Sequence, residues 1–152
     1  MPSDNELIRL PSFPNHVGVA VRDVAKTVEF LSSTYAVGHA QVVGDYMPRD
    51  EELIAGQDFR VRVGIVEMGA LKLELLQPLD EKSILAQFLR TKGEGLHHIA
   101  FYVPDFDAVV SKSKARGFEM LIGGLYEGHH WAYMNTDTKP GGIITEFMDF
   151  EH

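Results

Sequence analysis

Hydrophobic residues alternate with polar or small residues in the stretch NHVGVAVR, residues 15–22. The valines fall on one side of this stretch, and His16 falls on the other with Gly18 and Ala20, so the period of two predicts a half-buried strand. Asp23 follows in the position of a helix N-cap, and apolar residues then recur at helical spacing until Gly38. The chain therefore opens on a strand followed by a helix.

The same reading predicts seven more strands and two more helices along the chain. The strands are 40–46, 59–68, 70–78, 96–103, 118–123, 130–136 and 142–150, and the helices are 81–95, which ends in a glycine-rich loop, and 104–117. Residues 47–58 are polar and rich in turn-forming residues, which predicts a loop. Residues before Pro14 show little periodicity and predict a loose arm.

The order of these elements repeats once. Strand, helix and three strands are followed by a linker helix and then by strand, helix and three strands, and the two opening strands are offset by 82 residues, from His16 to His98. The sequence thus predicts one α+β domain over 1–152, made of two βαβββ units. Unit one covers about 14–78, the linker helix about 81–92 and unit two about 96–150.

The predicted strands place four polar side chains on faces that meet at one cleft. If the helices cover the apolar faces, the opposite faces meet at a shared cleft, and His16, Glu74, His98 and Glu146 all point into it. His97 then points away. Each unit supplies a His on its first strand and a Glu on its last, and two imidazoles with two carboxylates suit a divalent cation such as Zn, Ni, Co, Mn or Fe.

Each of these residues also has a plainer interpretation. A carboxylate on an exposed strand face is usually only solvated, and a single His in a strand is more often a hydrogen-bonded core residue. The repetition of both residue types at matching places favours a metal site, because two carboxylates buried together without a cation are costly.

Three further residues are candidates for contact with a substrate. Lys72 shares the cleft face with Glu74, and Tyr102 shares it with His98. Trp131 belongs to an alternating stretch that suits the wall of a sandwich or barrel as well as a substrate pocket.

Composition narrows the function. The 152 residues carry 14 Lys and Arg against 22 Asp and Glu, and they include no Cys. The negative balance argues against a nucleic-acid partner, the lack of Cys excludes thiolate metal sites and a Cys nucleophile, and no apolar run is long enough for a membrane span. The start of the chain lacks the apolar stretch of a signal peptide, so a cytoplasmic location is expected. A small molecule, including one that bears phosphate, remains as the partner.

Four stretches that contain the candidate ligands resemble the metal-strand motifs of the vicinal oxygen chelate superfamily, in the same order. They are NHVGVAV, LKLELLQP, GLHHIAFYV and GGIITEFMD. The resemblance covers about residues 14–150. Within the superfamily, residues 74–103 are most similar to the methylmalonyl-CoA epimerases.

This resemblance implies paired βαβββ units that form a curved half-barrel around one divalent metal ion per chain, held by His16, Glu74, His98 and Glu146. It also implies that a cleft carboxylate moves a proton, a role that falls on Glu146. An epimerase needs a second acid–base group for the other face of the substrate. The epimerases have a Glu near the place of Asp58, which is the candidate here and is one methylene shorter.

The expected function is therefore a metal-dependent isomerase that removes and returns a proton α to a carbonyl or thioester, with an acyl-CoA as the leading substrate class. The alternatives are a lactoylglutathione lyase-like (glyoxalase) enzyme and a non-catalytic binding protein of the drug-resistance type. The segment NTDTKPGG before the last strand departs from the epimerase pattern, which leaves the substrate open. Family members are commonly dimers, so a homodimer is expected.

Overall fold

A computed structural model of the protein describes Ser3 and residues 7–150. Its strands are β1 (His16–Ala20), β2 (Ala40–Tyr46), β3 (Leu53–Ala55), β4 (Val61–Met68), β5 (Leu71–Pro78), β6 (Gly95–Tyr102), β7 (Met120–Tyr126), β8 (His129–Met134) and β9 (Ile144–Met148). Its helices are α1 (Val24–Thr34), α2 (Ile84–Lys92) and α3 (Phe106–Ala115). Two short 3₁₀ turns lie at Asp50–Glu52 and Thr136–Thr138.

In the described part of the chain, all nine strands join one mixed sheet in the order β2-β4-β5-β1-β6-β9-β8-β7-β3. The first and second halves of the chain mirror each other about the antiparallel contact between β1 and β6, and each of these strands pairs in parallel with the last strand of its own half. The sheet curls into a half-barrel, which confirms the predicted α+β class.

Helices α1 and α3 cover the convex side of the sheet. Asp23 caps α1 by accepting a hydrogen bond from the backbone of Lys26, and Asp105 caps α3 in the same way. The core beneath α1 contains Val21, Val24, Val66 and Leu75, and the core beneath α3 contains Val103, Phe106, Val110, Ala132, Met134 and Phe147. The burial of each large side chain stabilises the fold by about 1.5–3 kcal/mol. It also fixes which face of the strand points toward the core.

The segment between β2 and β4 differs from the predicted loop. Residues 53–55 form β3, which pairs with β7 at the far edge of the sheet. The segment therefore crosses the open side of the half-barrel, and the Tyr46 hydroxyl at its start lies 3.4 Å from the backbone oxygen of Leu125. Local sequence did not indicate this strand because its three residues are ordered by a partner about 70 positions away in sequence, not by their own periodicity.

Strand β7 extends to Tyr126, beyond the predicted end at residue 123. Glu127 and Gly128 both have positive φ, 50° and 82°, and form the two-residue turn of a hairpin between β7 and β8. A turn of this kind matches the twist of the paired strands, so pairing continues up to it.

None of the helices in residues 7–150 is long and apolar enough to cross a membrane.

Candidate metal centre and its cleft

The register of the central strands places the four candidate ligands in two rows across the sheet. In one row, Gly18 on β1 lies between Glu74 on β5 and His98 on β6. In the other, Ala100 on β6 lies between His16 on β1 and Glu146 on β9. Each row thus has a His and a Glu on either side of a small residue.

The four side chains converge on one point inside the half-barrel. His16 Nε2 lies 3.3 Å from His98 Nε2, 3.2 Å from Glu146 Oε2 and 3.6 Å from Glu74 Oε2. His98 Nε2 lies 3.0 Å from Glu146 Oε2. One ligand atom from each of His16, Glu74 and His98 lies within 4.8 Å of the others. His16, His98 and Glu146 are buried, and Glu74 is half-buried.

The outer nitrogen of each imidazole contacts a neighbouring residue. His16 Nδ1 lies 2.8 Å from Asn15 Oδ1, and His98 Nδ1 lies 2.9 Å from His97 Nδ1. An imidazole that donates its Nδ1 proton to such a partner keeps the lone pair of Nε2 for the centre of the site, as metal-ligating histidines do. Asn15 and His97 therefore orient the two imidazoles.

Burial and neighbouring charges shift the pKa values of His16 and Glu146 in opposite directions. Burial alone would lower the pKa of His16, but the carboxylates of Glu74 and Glu146 outweigh it and raise the pKa to about 9. Burial would raise the pKa of Glu146, but the contacts with His16 and His98 lower it to about 2. Burial, with a smaller contribution from His98, lowers the pKa of His97 to about 3, so His97 is neutral.

One buried oxygen indicates that the site is built for a cation. No group in the described part of the chain gives Glu146 Oε2 a hydrogen bond of acceptable geometry, although both imidazoles lie close to it. Lone pairs and carboxylate oxygens that face one point, instead of pairing along N–H directions, are what a divalent ion needs. Two nitrogens and two carboxylates fit such an ion as a ligand set.

A cleft of about 600 Å³ opens beside Glu74 on the concave side of the sheet. Its floor is formed by alternate residues of β4 and β5 and by residues of β2, and its far wall by residues of β7 and β8. Lys72 and Trp131, two of the predicted substrate-contacting residues, line it. The volume lies in the range of small-molecule sites.

The structure places the other two predicted residues away from this cleft. Asp58 is exposed in the segment that precedes β4, and Tyr102 is half-buried at the end of β6. Neither belongs to the described residues that line the cleft. The neighbour of Asp58, Phe59, does line it.

Tyr133 is a site residue that sequence reasoning did not single out. It pairs with Glu146 across β8 and β9, and its ring lies 4.6 Å from the ring of His98. Burial, and then the carboxylates of Glu146 and Glu74, raise the pKa of Tyr133 well above its usual 10, so its hydroxyl stays neutral. The alternation of Trp131 and Tyr133 with Ala132 and Met134 was the available signal.

Comparison with known proteins shows the family to which the chain belongs. The model of the glyoxalase/bleomycin resistance protein/dioxygenase superfamily matches residues 15–134. The mitochondrial methylmalonyl-CoA epimerase of Homo sapiens is 32% identical over 117 residues, which are 76% of this chain and 60% of that protein. The ethylmalonyl-CoA/methylmalonyl-CoA epimerase of Cereibacter sphaeroides is 34% identical over 111 residues, which are 72% of this chain and 75% of that protein.

A solved structure shares the fold along most of the chain. A variant of the Streptomyces coelicolor methylmalonyl-CoA epimerase, in complex with 2-nitronate-propionyl-CoA, superposes with a TM-score of 0.63 at 25% sequence identity, covering 89% of this chain and 94% of that chain. The present chain spans about 60% of the length of the mammalian relatives that it matches. Family model, sequence relatives and fold all agree, and the chain belongs to the glyoxalase/bleomycin resistance protein/dioxygenase superfamily.

Proposed function

We propose that the protein is a divalent-metal-dependent isomerase that removes and returns a proton α to a carbonyl or thioester, as an epimerase does. The observation that carries the proposal is the convergence of two imidazoles and two carboxylates on one buried point beside an open cleft. The similarity to epimerases of methylmalonyl-CoA supports an acyl-CoA as the substrate.

The proposed cofactor is one divalent ion per chain, from the group Co, Ni, Mn, Zn and Fe. His16, Glu74, His98 and Glu146 would hold it. When bound, such an ion supplies positive charge that stabilises the negative charge developing on a carbonyl oxygen during proton removal.

Glu146 is the proposed base. The contacts with His16 and His98 lower the pKa of Glu146, which favours the carboxylate form that a base needs, and the burial of the residue limits the access of water to it. Tyr133 beside it keeps its own proton over the same pH range, so it does not compete for the role of base.

Asp58 is the proposed second acid–base group, which an epimerase needs on the opposite face of the substrate. Asp58 is exposed and directly precedes Phe59 in the chain, and Phe59 lines the cleft. We expect Asp58→Asn to slow inversion more than exchange of the α-hydrogen, because Glu146 alone can exchange it. If Asp58→Asn lowers the rates of inversion and of exchange equally, or lowers neither rate, Asp58 has no part in the mechanism.

The test of the function is exchange of the α-hydrogen of methylmalonyl-CoA in deuterated water, followed by mass spectrometry. The protein reconstituted with Ni, Co, Mn or Zn is expected to exchange it. Glu146→Gln is expected to lower the rate by about 10²–10⁴-fold. Glu67→Gln is the control, because Glu67 is an exposed carboxylate that also lines the cleft.

Because Glu146 is also a proposed ligand, bound metal is measured by elemental analysis in each variant. Exchange at the wild-type rate by Glu146→Gln would remove the residue from the mechanism. No exchange by any reconstituted protein, with turnover of the methylglyoxal–glutathione adduct instead, would make the enzyme a lyase of the glyoxalase type.

We further propose a homodimer, on the family expectation alone. Light scattering on the eluted protein would show twice the chain mass of 17.0 kDa.

A further inference from the structure

The floor of the cleft changes from charged to apolar along strands β4 and β5. At one end Glu67 on β4 pairs in register with Lys72 on β5, and the next cleft-facing pair is Ile65 with Glu74. The pair after that is Val63 with Leu76. Cleft-facing pairs follow each other at about 7 Å along a strand, so the floor becomes apolar within one such step of Glu74.

Aromatic rings continue from the ligand set along this apolar part. The ring of Tyr133 lies 4.6 Å from His98 and 5.5 Å from Trp131. Trp131 lies 5.7 Å from Phe59, and Phe59 lies 5.8 Å from Tyr46. The wall from His98 to Tyr46 is therefore an unbroken series of rings, and we call Tyr46, Phe59, Trp131 and Tyr133 the aromatic wall.

The space in front of the aromatic wall is not filled by the protein. All four members of the aromatic wall line the cleft of about 600 Å³; Trp131 and Tyr133 are only 7% and 8% exposed, whereas Val43 and Tyr126 on the rim are 57% and 41% exposed. Apolar side chains that line an open cleft mark a binding surface, because a protein core of the same composition would close on itself.

Charge along the cleft opposes a second anionic group. Among the described residues that line it, Asp45, Glu67 and Glu74 are acidic and Lys72 is the basic one. Lys72 lies at the opposite end from Phe59 and Trp131, and the guanidinium groups of Arg60 and Arg62 are paired with Asp45 at 3.5 and 2.8 Å. An anion in front of the aromatic wall would therefore have to compete with Asp45 for these cations and would lose its hydration. An uncharged apolar group fits that space.

We propose that the aromatic wall binds a bulky, uncharged substituent next to the chelating oxygens of the substrate, and that an aromatic ring is the best fit. The preferred substrate class is then an α-substituted diacid or its thioester in which the substituent is of benzyl size and not methyl. The assignment of this group to the substrate rests on the proposed function. The selectivity of the cleft can be measured without turnover.

Trp131 offers a direct readout of occupancy because it is the only tryptophan in the sequence and lines the cleft. The zinc-loaded protein is titrated with benzylmalonate and, separately, with methylmalonate while Trp131 fluorescence is followed. Benzylmalonate is expected to bind at least about tenfold more tightly, since even one added methylene in an apolar pocket changes discrimination by about 10–200-fold.

Two variants alter the wall in opposite ways. Phe59→Ala removes a ring from it, and Val63→Phe fills the floor in front of it, so each is expected to reduce the preference for benzylmalonate to less than about threefold. Phe30→Ala is the matched control, because Phe30 is 57% exposed on α1, outside the cleft. Thermal melts identify any variant that is unfolded, and the other variant then decides.

The outcomes separate this inference from the proposed function. Equal or tighter binding of methylmalonate, or no binding of either diacid at millimolar concentration, overturns the inference. Benzylmalonyl-CoA and methylmalonyl-CoA are then compared in the exchange assay. If neither thioester exchanges its α-hydrogen while benzylmalonate binds selectively, the proposed function fails and the cleft assignment stands. If only methylmalonyl-CoA exchanges and benzylmalonate shows no preference in binding, the proposed function stands and the cleft assignment fails.

Discussion

Gly18 shows how much a single small residue contributes to the site. A Cβ at this position would overlap the imidazole of His98, which lies in the next strand of the same row. The equivalent position in the second half is Ala100, fully buried between His16 and Glu146. Small side chains at these two places leave the room in which the imidazoles meet.

We expect Gly18→Ala to weaken metal binding by at least about tenfold, because the His98 ring must move away from the other ligands. The measurement is a Co²⁺ titration followed by visible absorbance. Gly64→Ala is the control: its Cβ would press on Val24 at 2.6 Å on the helix side, so it should lower stability by about 1–3 kcal/mol and leave Co²⁺ affinity unchanged. Unchanged affinity in Gly18→Ala would contradict the packing argument.

His97 permits a second test at the residue scale. Its Nδ1 atom lies 2.9 Å from Nδ1 of His98, and a neutral imidazole can accept the His98 proton there. We expect His97→Leu to lower Co²⁺ affinity by about 10–100-fold, whereas His97→Asn, which keeps an acceptor near the same place, should recover most of it. If both variants bind Co²⁺ as tightly as the wild type does, His97 only fills space between Phe88 and Tyr133.

At the scale of elements, alternation along each strand decided the candidate site. In β5, Leu75 packs beneath α1 while Glu74 faces the cleft, and in β8, Ala132 and Met134 pack beneath α3 while Trp131 and Tyr133 face the cleft. Both faces follow from the period of two. Strand β3 has no such pattern and depends on its partner β7, which is why residues 47–58 were predicted as a loop.

The linker before α2 depends on one carboxylate. Asp80 accepts hydrogen bonds from the backbone N–H groups of Lys82 and Ser83, at 2.9 and 2.6 Å, and of Arg60, at 3.1 Å. Burial alone would raise the pKa of Asp80, but these hydrogen bonds outweigh it and lower the pKa. The carboxylate therefore joins the start of α2 to the start of β4.

We expect Asp80→Ala to lower the free energy of unfolding by about 1–3 kcal/mol at pH 7, measured by urea denaturation. Since the folded pKa of Asp80 lies below the unfolded value of about 3.9, its contribution is complete above about pH 4 and is lost as the pH falls through the folded pKa. The difference in the free energy of unfolding between the wild type and Asp80→Ala should therefore shrink as the pH falls. Glu29→Ala, an exposed change on α1, should stay within about 0.5 kcal/mol of the wild type. An effect of Asp80→Ala that does not shrink as the pH falls below about 4 would contradict the assignment.

At the scale of the whole molecule, the site joins the two halves of the chain. His16 and Glu74 come from the first half, His98 and Glu146 from the second, and the contact between β1 and β6 holds them together. A bound ion therefore links elements that are far apart in sequence.

We expect the preferred divalent ion at about 100 times its dissociation constant to stabilise the fold by about 2.7 kcal/mol, which corresponds to a melting-temperature increase of about 5–11 °C for a chain of this size. Differential scanning fluorimetry with Ni, Co, Mn and Zn, each after chelator treatment, measures it. His16→Ala should abolish the increase. The same melting temperature with and without every ion would show that the four side chains do not form a metal site.

The amino-acid sequence was enough to predict the strands with a clear period, the cap at Asp23, and the faces of His16, Glu74, His98 and Glu146, because side-chain direction in a strand is a local property. The distances among these four residues, the contact of His97 with His98, the aromatic wall and the exposed position of Asp58 became known from the folded structure alone. These features depend on register between strands and on packing between residues that are distant in sequence, and neither is encoded in the periodicity of any one segment.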